Sequence, residues 1–258
     1  STKDVFAWKN DGSPFSGTWT QWDVGNLGGY PDGLALGDFD NDGYLDIVSG
    51  NSAMSPDWEG EVVVWENDGT PFSGEVWDDQ EVGASIAGVL SVAVGDLDND
   101  GYLDIVSGSG SGENYEVIVW ENDGSPFNSG WSPQDVGATA DTDSVYAITV
   151  GDFDNDGNLD IASGSSGDNE IFVWQNDGTP FSGYWTTSQS VGVSTDTIWG
   201  LIAGDLDNDG YLDIVSGSTV NEDYEVIVWE NDGSPFSGTW TPQDVGASLA
   251  NVCEVAVG

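Results

Sequence analysis

Four segments of the chain carry carboxylates at a spacing that suits a hard cation. They run Asp38-Phe39-Asp40-Asn41-Asp42-Gly43-Tyr44-Leu45-Asp46, Asp96 to Asp104, Asp152 to Asp160 and Asp205 to Asp213. Each has aspartate at positions 1, 3, 5 and 9 and glycine at position 6. Calcium takes six to eight oxygens at about 2.3–2.6 Å. A loop folded around one point turns alternate side chains inward. That aims Asp38, Asp40 and Asp42 at a common centre, and likewise Asp96, Asp98 and Asp100, Asp152, Asp154 and Asp156, and Asp205, Asp207 and Asp209. Glycine permits the sharp turn. The backbone carbonyl of position 7 (Tyr44, Tyr102, Asn158, Tyr211) is expected to add an oxygen, and Asp46, Asp104, Asp160 and Asp213 to close the shell. Carboxylates this close repel one another when ionised, so the loops call for a cation at neutral pH. Magnesium fits less well, because it holds its waters and demands near-octahedral geometry. The expectation is four calcium sites.

The charge balance removes several functions. The 258 residues include 47 acidic ones against two lysines, Lys3 and Lys9, with no arginine and no histidine. Phosphate neutralisation needs a basic surface, so nucleic acid is excluded as a partner, and anionic membranes by the same logic. No apolar run is long enough to insert into a bilayer. Histidine-based triads and metal sites cannot be built, arginine clamps on substrate carboxylates are absent, and Cys253 is the only cysteine. A paired-carboxylate glycosidase is the one enzyme class left, and most well-placed carboxylates are committed to the loops. The chain is therefore read as no enzyme, with no catalytic residue. Thirteen Trp, nine Phe and eight Tyr argue against a disordered acidic chain.

The elements that position the loops belong to a repeat. GDFDNDGYLDIVSG from Gly37 returns almost unchanged from Gly95, Gly151 and Gly204. A second segment, Trp-x-Asn-Asp-Gly-Ser/Thr-Pro-Phe, starts at Trp8, Trp65, Trp120, Trp174 and Trp229, and Val-Gly ends each copy at Gly25, Gly83, Gly137, Gly192 and Gly246. A period of about 55 residues is that of a four-stranded propeller blade. In one copy the pattern predicts strand A at Ser91–Gly95, B at Leu103–Ser107, C at Glu116–Trp120 and D at about Trp131–Val136. A and C are nearly continuous in apolar residues, as strands covered on both faces are. Pro133 and Pro242 suit D to an outer edge. The Asn-Asp-Gly segment reads as a tight C–D turn. Trp65, Trp120, Trp174 and Trp229 read as core wedges between blades.

These loops, with the Trp-x-Asn-Asp-Gly strand end, resemble the FG-GAP/VCBS repeats of integrin-type propellers across the whole chain. The resemblance implies calcium in the A–B loops and a place outside the cell, in adhesion, lectin or cell-surface proteins. The fold class expected is all-β: a single five-bladed β-propeller domain over residues 1–258, with four complete repeats and a fifth blade that is incomplete and shared between the termini. Its parts are strand C at Asp4–Trp8 and D after it, with A at Val252–Gly258. Val5–Trp8 is expected in the same blade as Val255–Val257, with Cys253 as inert packing. Either A and C pair directly, or another chain supplies the strand between them, or the sequence is a fragment. The start, Ser1-Thr2-Lys3-Asp4, reads like a trimmed terminus.

A–B and C–D turns should share one face, nearly invariant between copies. The opposite face holds the variation, in Leu27–Gly33, Gly50–Gly60, Ser109–Tyr115, Ala138–Ser144, Ser165–Asn169 and Ser218–Tyr224. Tyr30, Trp58, Tyr115, Tyr146, Trp199 and Tyr224 lie there among Asp, Asn and Ser, a mix that suits sugars or proteins. The functional expectation is an extracellular or cell-surface structural and adhesion module, stabilised by calcium and self-assembling through its incomplete blade. The alternative is a carbohydrate-binding lectin using the variable face. The expected partners are other copies of the chain, or a cell-surface protein or glycan.

Overall fold

The structure is a computed structural model and describes residues 4–52, 60–74, 76–85, 87–110, 117–128, 130–137, 144–182, 185–218, 224–248, 252 and 255–256. All its regular structure is β. Four antiparallel four-stranded meanders follow one another along the chain. The first comprises β3 (Tyr30–Gly37), β4 (Asp46–Ser52), β5 (Gly60–Glu66) and β6 (Asp78–Ser85). The second comprises β7 (Val89–Gly95), β8 (Asp104–Ser109), β9 (Val117–Asn122) and β10 (Trp131–Gly137). The third is β11 (Val145–Gly151), β12 (Asp160–Ser165), β13 (Glu170–Trp174) and β14 (Ser188–Val193). The fourth is β15 (Ile198–Gly204), β16 (Asp213–Ser218), β17 (Tyr224–Glu230) and β18 (Thr241–Ser248). Ahead of them a two-stranded sheet pairs β1 (Asp4–Asn10) with β2 (Trp19–Asn26). Five sheets in this order form a five-bladed propeller.

The core lies between blades. Phe39, Val48, Val62 and Val64 of the first meander pack against Val89, Val92, Ile105 and Trp120 of the second. The tryptophans are the wedges expected: Trp65, Trp120, Trp174 and Trp229 are 3–5 % exposed. Each indole N–H donates to a serine hydroxyl of strand B in its own blade, Trp120 to Ser107 at 2.9 Å. The ring edge then lies on the Val-Gly of the preceding blade. A Cβ at Gly83 would sit 2.2 Å from the Trp120 ring, which is why that position is glycine. Truncating such a wedge costs about 3–5 kcal/mol.

Strand limits differ from the sequence reading in one instructive place. The A strand starts at Val89, two residues before Ser91, because it passes through a β-bulge: the register shifts between Val89 and Ser91 and sets Leu90 outside the ladder. The other first strands do the same at Asp32, Tyr146 and Trp199. B and C run to Ser109 and Asn122, with Glu116 outside the described residues. The proline-bearing D strand forms the sheet edge.

The fifth blade is divided. The β1–β2 hairpin packs Val5, Val24 and Leu27 against Ile47, Val63 and Trp65 of the first meander. At the other end Val252 and Val255 lie against Gly217, where Val89 and Val92 lie against Gly50 in a complete junction. Among the described residues β1 pairs with β2 alone, so no direct pairing of strands A and C is seen. Val257 and Cys253 lie outside the described residues.

Candidate metal centres

Each acidic loop connects strands A and B of one meander, and its backbone is shaped by two residue types. Asn41, Asn99, Asn155 and Asn208 at position 4 have φ of 58–62°, a left-handed conformation asparagine tolerates. Gly43, Gly101, Gly157 and Gly210 at position 6 have φ of 93–97°, which a side chain would strain.

The aspartates then hold the loop by accepting backbone hydrogen bonds. Asp96 takes the N–H groups of Asp100 and Gly101 at 3.0 Å each, and Asp98 takes Asp100 N–H at 3.2 Å. Asp100 takes the N–H of Tyr102 at 2.8 Å. The other loops repeat this set. Asp104 at position 9 is 1 % exposed and accepts from Leu97 N–H at 2.9 Å and Asn122 N–H at 2.9 Å. It therefore ties the loop start to the end of strand C.

Three of the four carboxylates converge in every loop. Oxygens of Asp96, Asp98 and Asp104 lie within 4.8 Å of one another, as do those of Asp152, Asp154 and Asp160 and of Asp205, Asp207 and Asp213. In the first loop the converging set is Asp38, Asp40 and Asp42. The position-5 aspartate of the other three loops stands outside the triad, with one oxygen engaged on the position-7 N–H. Position 7 also has a side-chain role absent from the sequence reading. The rings of Tyr44, Tyr102 and Tyr211 rest on the C–D turn glycines Gly69, Gly124 and Gly233, where a Cβ would lie 2.6–2.8 Å away. Asn158, shorter, leaves Gly178 looser.

Burial pushes the position-9 carboxyls up, to about 6 for Asp46, about 7 for Asp104 and about 8 for Asp160. Hydrogen bonds from backbone N–H groups offset only part of this, and the neighbouring aspartates add to it. Asp40, Asp98 and Asp154 are raised too, by burial first. No basic group among the described residues answers this charge: Lys9 lies over the Phe72 ring, 5.3 Å from its centroid. An all-oxygen donor set with uncompensated, partly buried negative charge fits calcium, and would hold it through the triads with position 7 completing the shell.

One functional residue escaped the sequence reading. Asn122, two residues after Trp120, donates its Nδ2 to Leu103 O at 3.1 Å in its own loop and to Phe39 O at 2.9 Å in the preceding blade's loop. Asn176 and Asn231 do the same with Leu97 and Phe153. Loop asparagines extend the chain of contacts, Asn41 donating to Gly101 O at 3.0 Å and Asn155 to Gly210 O at 2.8 Å. The candidate sites are thus linked from blade to blade. The signal was present in the five Trp-x-Asn copies, read only as turns.

On the variable face, Asp32, Leu90, Tyr146 and Trp199 line one cavity of about 360 Å³. The Tyr146 and Trp199 ring centroids are 4.5 Å apart. Tyr30 is exposed. Trp58, Tyr115 and the side chain of Tyr224 lie outside the described residues.

Repeated four-stranded sheets whose first strands meet at one cavity, each with an acidic A–B loop, define a β-propeller-type repeat protein. The family model for the FG-GAP-like repeat matches the chain twice, over residues 52–107 and 152–216. These segments, which include the second, third and fourth acidic loops, are FG-GAP-like repeats. No curated protein matches the chain. FG-GAP repeats are typical of extracellular proteins, and no helix among the described residues is long and apolar enough to cross a membrane.

Proposed function

We propose that this chain is a calcium-stabilised, non-catalytic structural and adhesion module that works outside the cell or on its surface, as one propeller domain. The observation that carries the reading is the fourfold convergence of three carboxylates in loops tied into the blade junctions. Calcium would supply the positive charge these loops lack and fix the A–B turns against the C–D turns. Sites of the extracellular-module class bind in roughly the 0.1–1 mM range, which free calcium reaches outside cells and not in cytosol. Equilibrium dialysis against calcium, after exhaustive chelation, tests this. Four ions per chain are expected, and fewer than one would overturn it.

A second reading, carbohydrate binding, is favoured by the cavity at the blade axis. Tyr146 and Trp199 offer ring faces to a sugar, and Asp32 can accept its hydroxyls. A glycan array probed with the native chain and with Trp199→Ala tests it. Signals lost in the variant support this reading, and a blank array removes it.

A further inference from the structure

We propose that side chains outside the carboxylate set grade the four acidic loops as cation sites, and that the third loop, Asp152 to Asp160, is the weakest. The residues that set it apart are Gln175 and Asn158. The inference rests on the reading of the loops as calcium sites, and ranks them.

The first difference lies just after the strand-C tryptophan. In the first two blades that residue is a glutamate close enough to feel the loop. Burial first, and then the charge of Asp40, holds the Glu66 carboxyl above its usual range. Burial and then the charges of Asp98 and Asp100 do the same to Glu121. Glu230 has this sequence position in the fourth blade. In the third blade the residue is Gln175, and its Nε2 donates to Asp154 Oδ2 at 2.8 Å. An ionised glutamate cannot make that bond. The other oxygen of Asp154 accepts the Asp156 N–H at 3.2 Å, so both are engaged. Asp40, Asp98 and Asp207 accept the corresponding N–H on one oxygen, and among the described residues no side chain donates to the other.

The second difference lies at position 7. The rings of Tyr44, Tyr102 and Tyr211 rest on the C–D turns, whereas Asn158 donates its Nδ2 to Asp156 Oδ1 at 2.9 Å. The neighbouring blade orients this amide, because Asn99 Nδ2 donates to Asn158 Oδ1 at 3.2 Å. Two amides thus answer the carboxylates at positions 3 and 5 of the third loop, and a negative charge found beside the others is missing. Calcium affinity follows the charge count of its site. A cation entering the third loop gains less attraction and competes with the Gln175 N–H for Asp154. One unit charge beside a divalent ion near the surface changes affinity roughly five- to tenfold. The third loop therefore fills last as calcium rises and empties first as it falls, keeping its shape through its own amides.

Isothermal titration calorimetry of the chelator-stripped chain with calcium chloride tests the proposal. Three ions of one class are expected, with a fourth bound roughly five- to tenfold more weakly. Gln175→Glu should tighten the fourth ion by about that factor, and Glu121→Gln should move a second ion into the weak class. Both exchanges keep the side-chain shape at partly buried positions, so both variants should fold. Melting in excess chelator gives a readout without metal. There Gln175→Glu should melt below the native chain, having lost an amide bond and gained a charge, and Glu121→Gln should melt above it. Four equal ions in the native chain, or a weak class that Gln175→Glu leaves unchanged, would overturn the grading and leave the calcium reading standing. Equal melting of Gln175→Glu and the native chain in chelator would do the same. A chain that binds no calcium would overturn both.

Discussion

Asp98→Asn should reverse its effect on stability when calcium is removed. Asp98 lies within 4.8 Å of Asp96 and Asp104, and it accepts a single backbone hydrogen bond, from Asp100 at 3.2 Å. An amide oxygen can keep that bond, so the substitution removes charge and little else. With dissociation constants of roughly 0.1–1 mM and about 1 mM free calcium, each occupied loop stabilises the fold by about 0.4–1.4 kcal/mol. Four loops then contribute about 2–6 kcal/mol, a large share of the 5–15 kcal/mol that holds an ordinary domain together. Chelation should lower the melting temperature by roughly 5–20 °C for a domain of this size. Asp98→Asn should cost about a quarter of that in calcium. In excess chelator the variant should equal or exceed the native chain, because Asp98 is raised by burial and by the charges of Asp100 and Asp96. Calorimetry of both proteins, with and without chelator, reads all four values. The reasoning fails if chelation leaves the native melting curve unchanged. It fails equally if Asp98→Asn destabilises by the same amount in both conditions, since the carboxylate would then act as a backbone latch alone.

Other perturbations read other parts of the design. In the metal-free chain the buried Asp46, Asp104 and Asp160 carry folded values of about 6, 7 and 8, above the ordinary carboxyl. The folded state then binds more protons than the unfolded one, so metal-free stability should fall as pH rises from about 5 to about 8. Melting in chelator across that window checks this, and in saturating calcium the trend should flatten or invert. Asn122→Ala leaves the carbonyls of Phe39 and Leu103 without their donor, at a cost of about 1–3 kcal/mol. Asn67→Ala should cost less by urea denaturation, because among the described residues its Nδ2 donates to Leu45 O within its own blade and to no second loop. Gly83→Ala should destabilise by about 1–3 kcal/mol, because the Trp120 ring leaves no room for a Cβ.

How far the sequence could be read depended on whether a feature repeats with the chain's period. The blade, its four strands, the tryptophan wedges and the acidic loops recur at nearly constant spacing, and each copy corroborates the others. What escaped was of two physical kinds. Asn122 acts on a loop in a neighbouring blade, 83 positions away from Phe39, and no local pattern marks such a bond. The bulges at Asp32, Leu90, Tyr146 and Trp199 break the two-residue alternation on which strand reading relies. A residue outside the register looks like any other until the ladder is seen. The converging set was also narrower than the motif suggested, because a carboxylate has two uses in a loop. At position 5 it holds the turn through the position-7 N–H, and in three loops the buried position-9 aspartate closes the triad in its place.

The bulge has a consequence for where this fold can vary. Inside a junction, every side chain meets a copy of the same partner, so a change in one repeat must suit its neighbour. Gly83 cannot gain a methyl without moving Trp120, and Asp104 cannot change without freeing Leu97 and Asn122. A bulged residue of strand A leaves the ladder and faces the axis, where four blades contribute one side chain each to a shared space. There it meets the side chains of the other bulges, as Tyr146 meets Trp199 with ring centroids 4.5 Å apart, and not a partner in the ladder. The four positions accordingly hold an acid, an aliphatic, a phenol and an indole. The invariant junctions set stability and position the acidic loops. The axis is where the same scaffold can acquire a ligand without disturbing either. Exchanging Trp199 for leucine should therefore leave calcium stoichiometry unchanged and cost stability little beyond its ring contact with Tyr146, while altering any axial binding. A large loss of stability in that variant would show that the axial side chains belong to the core.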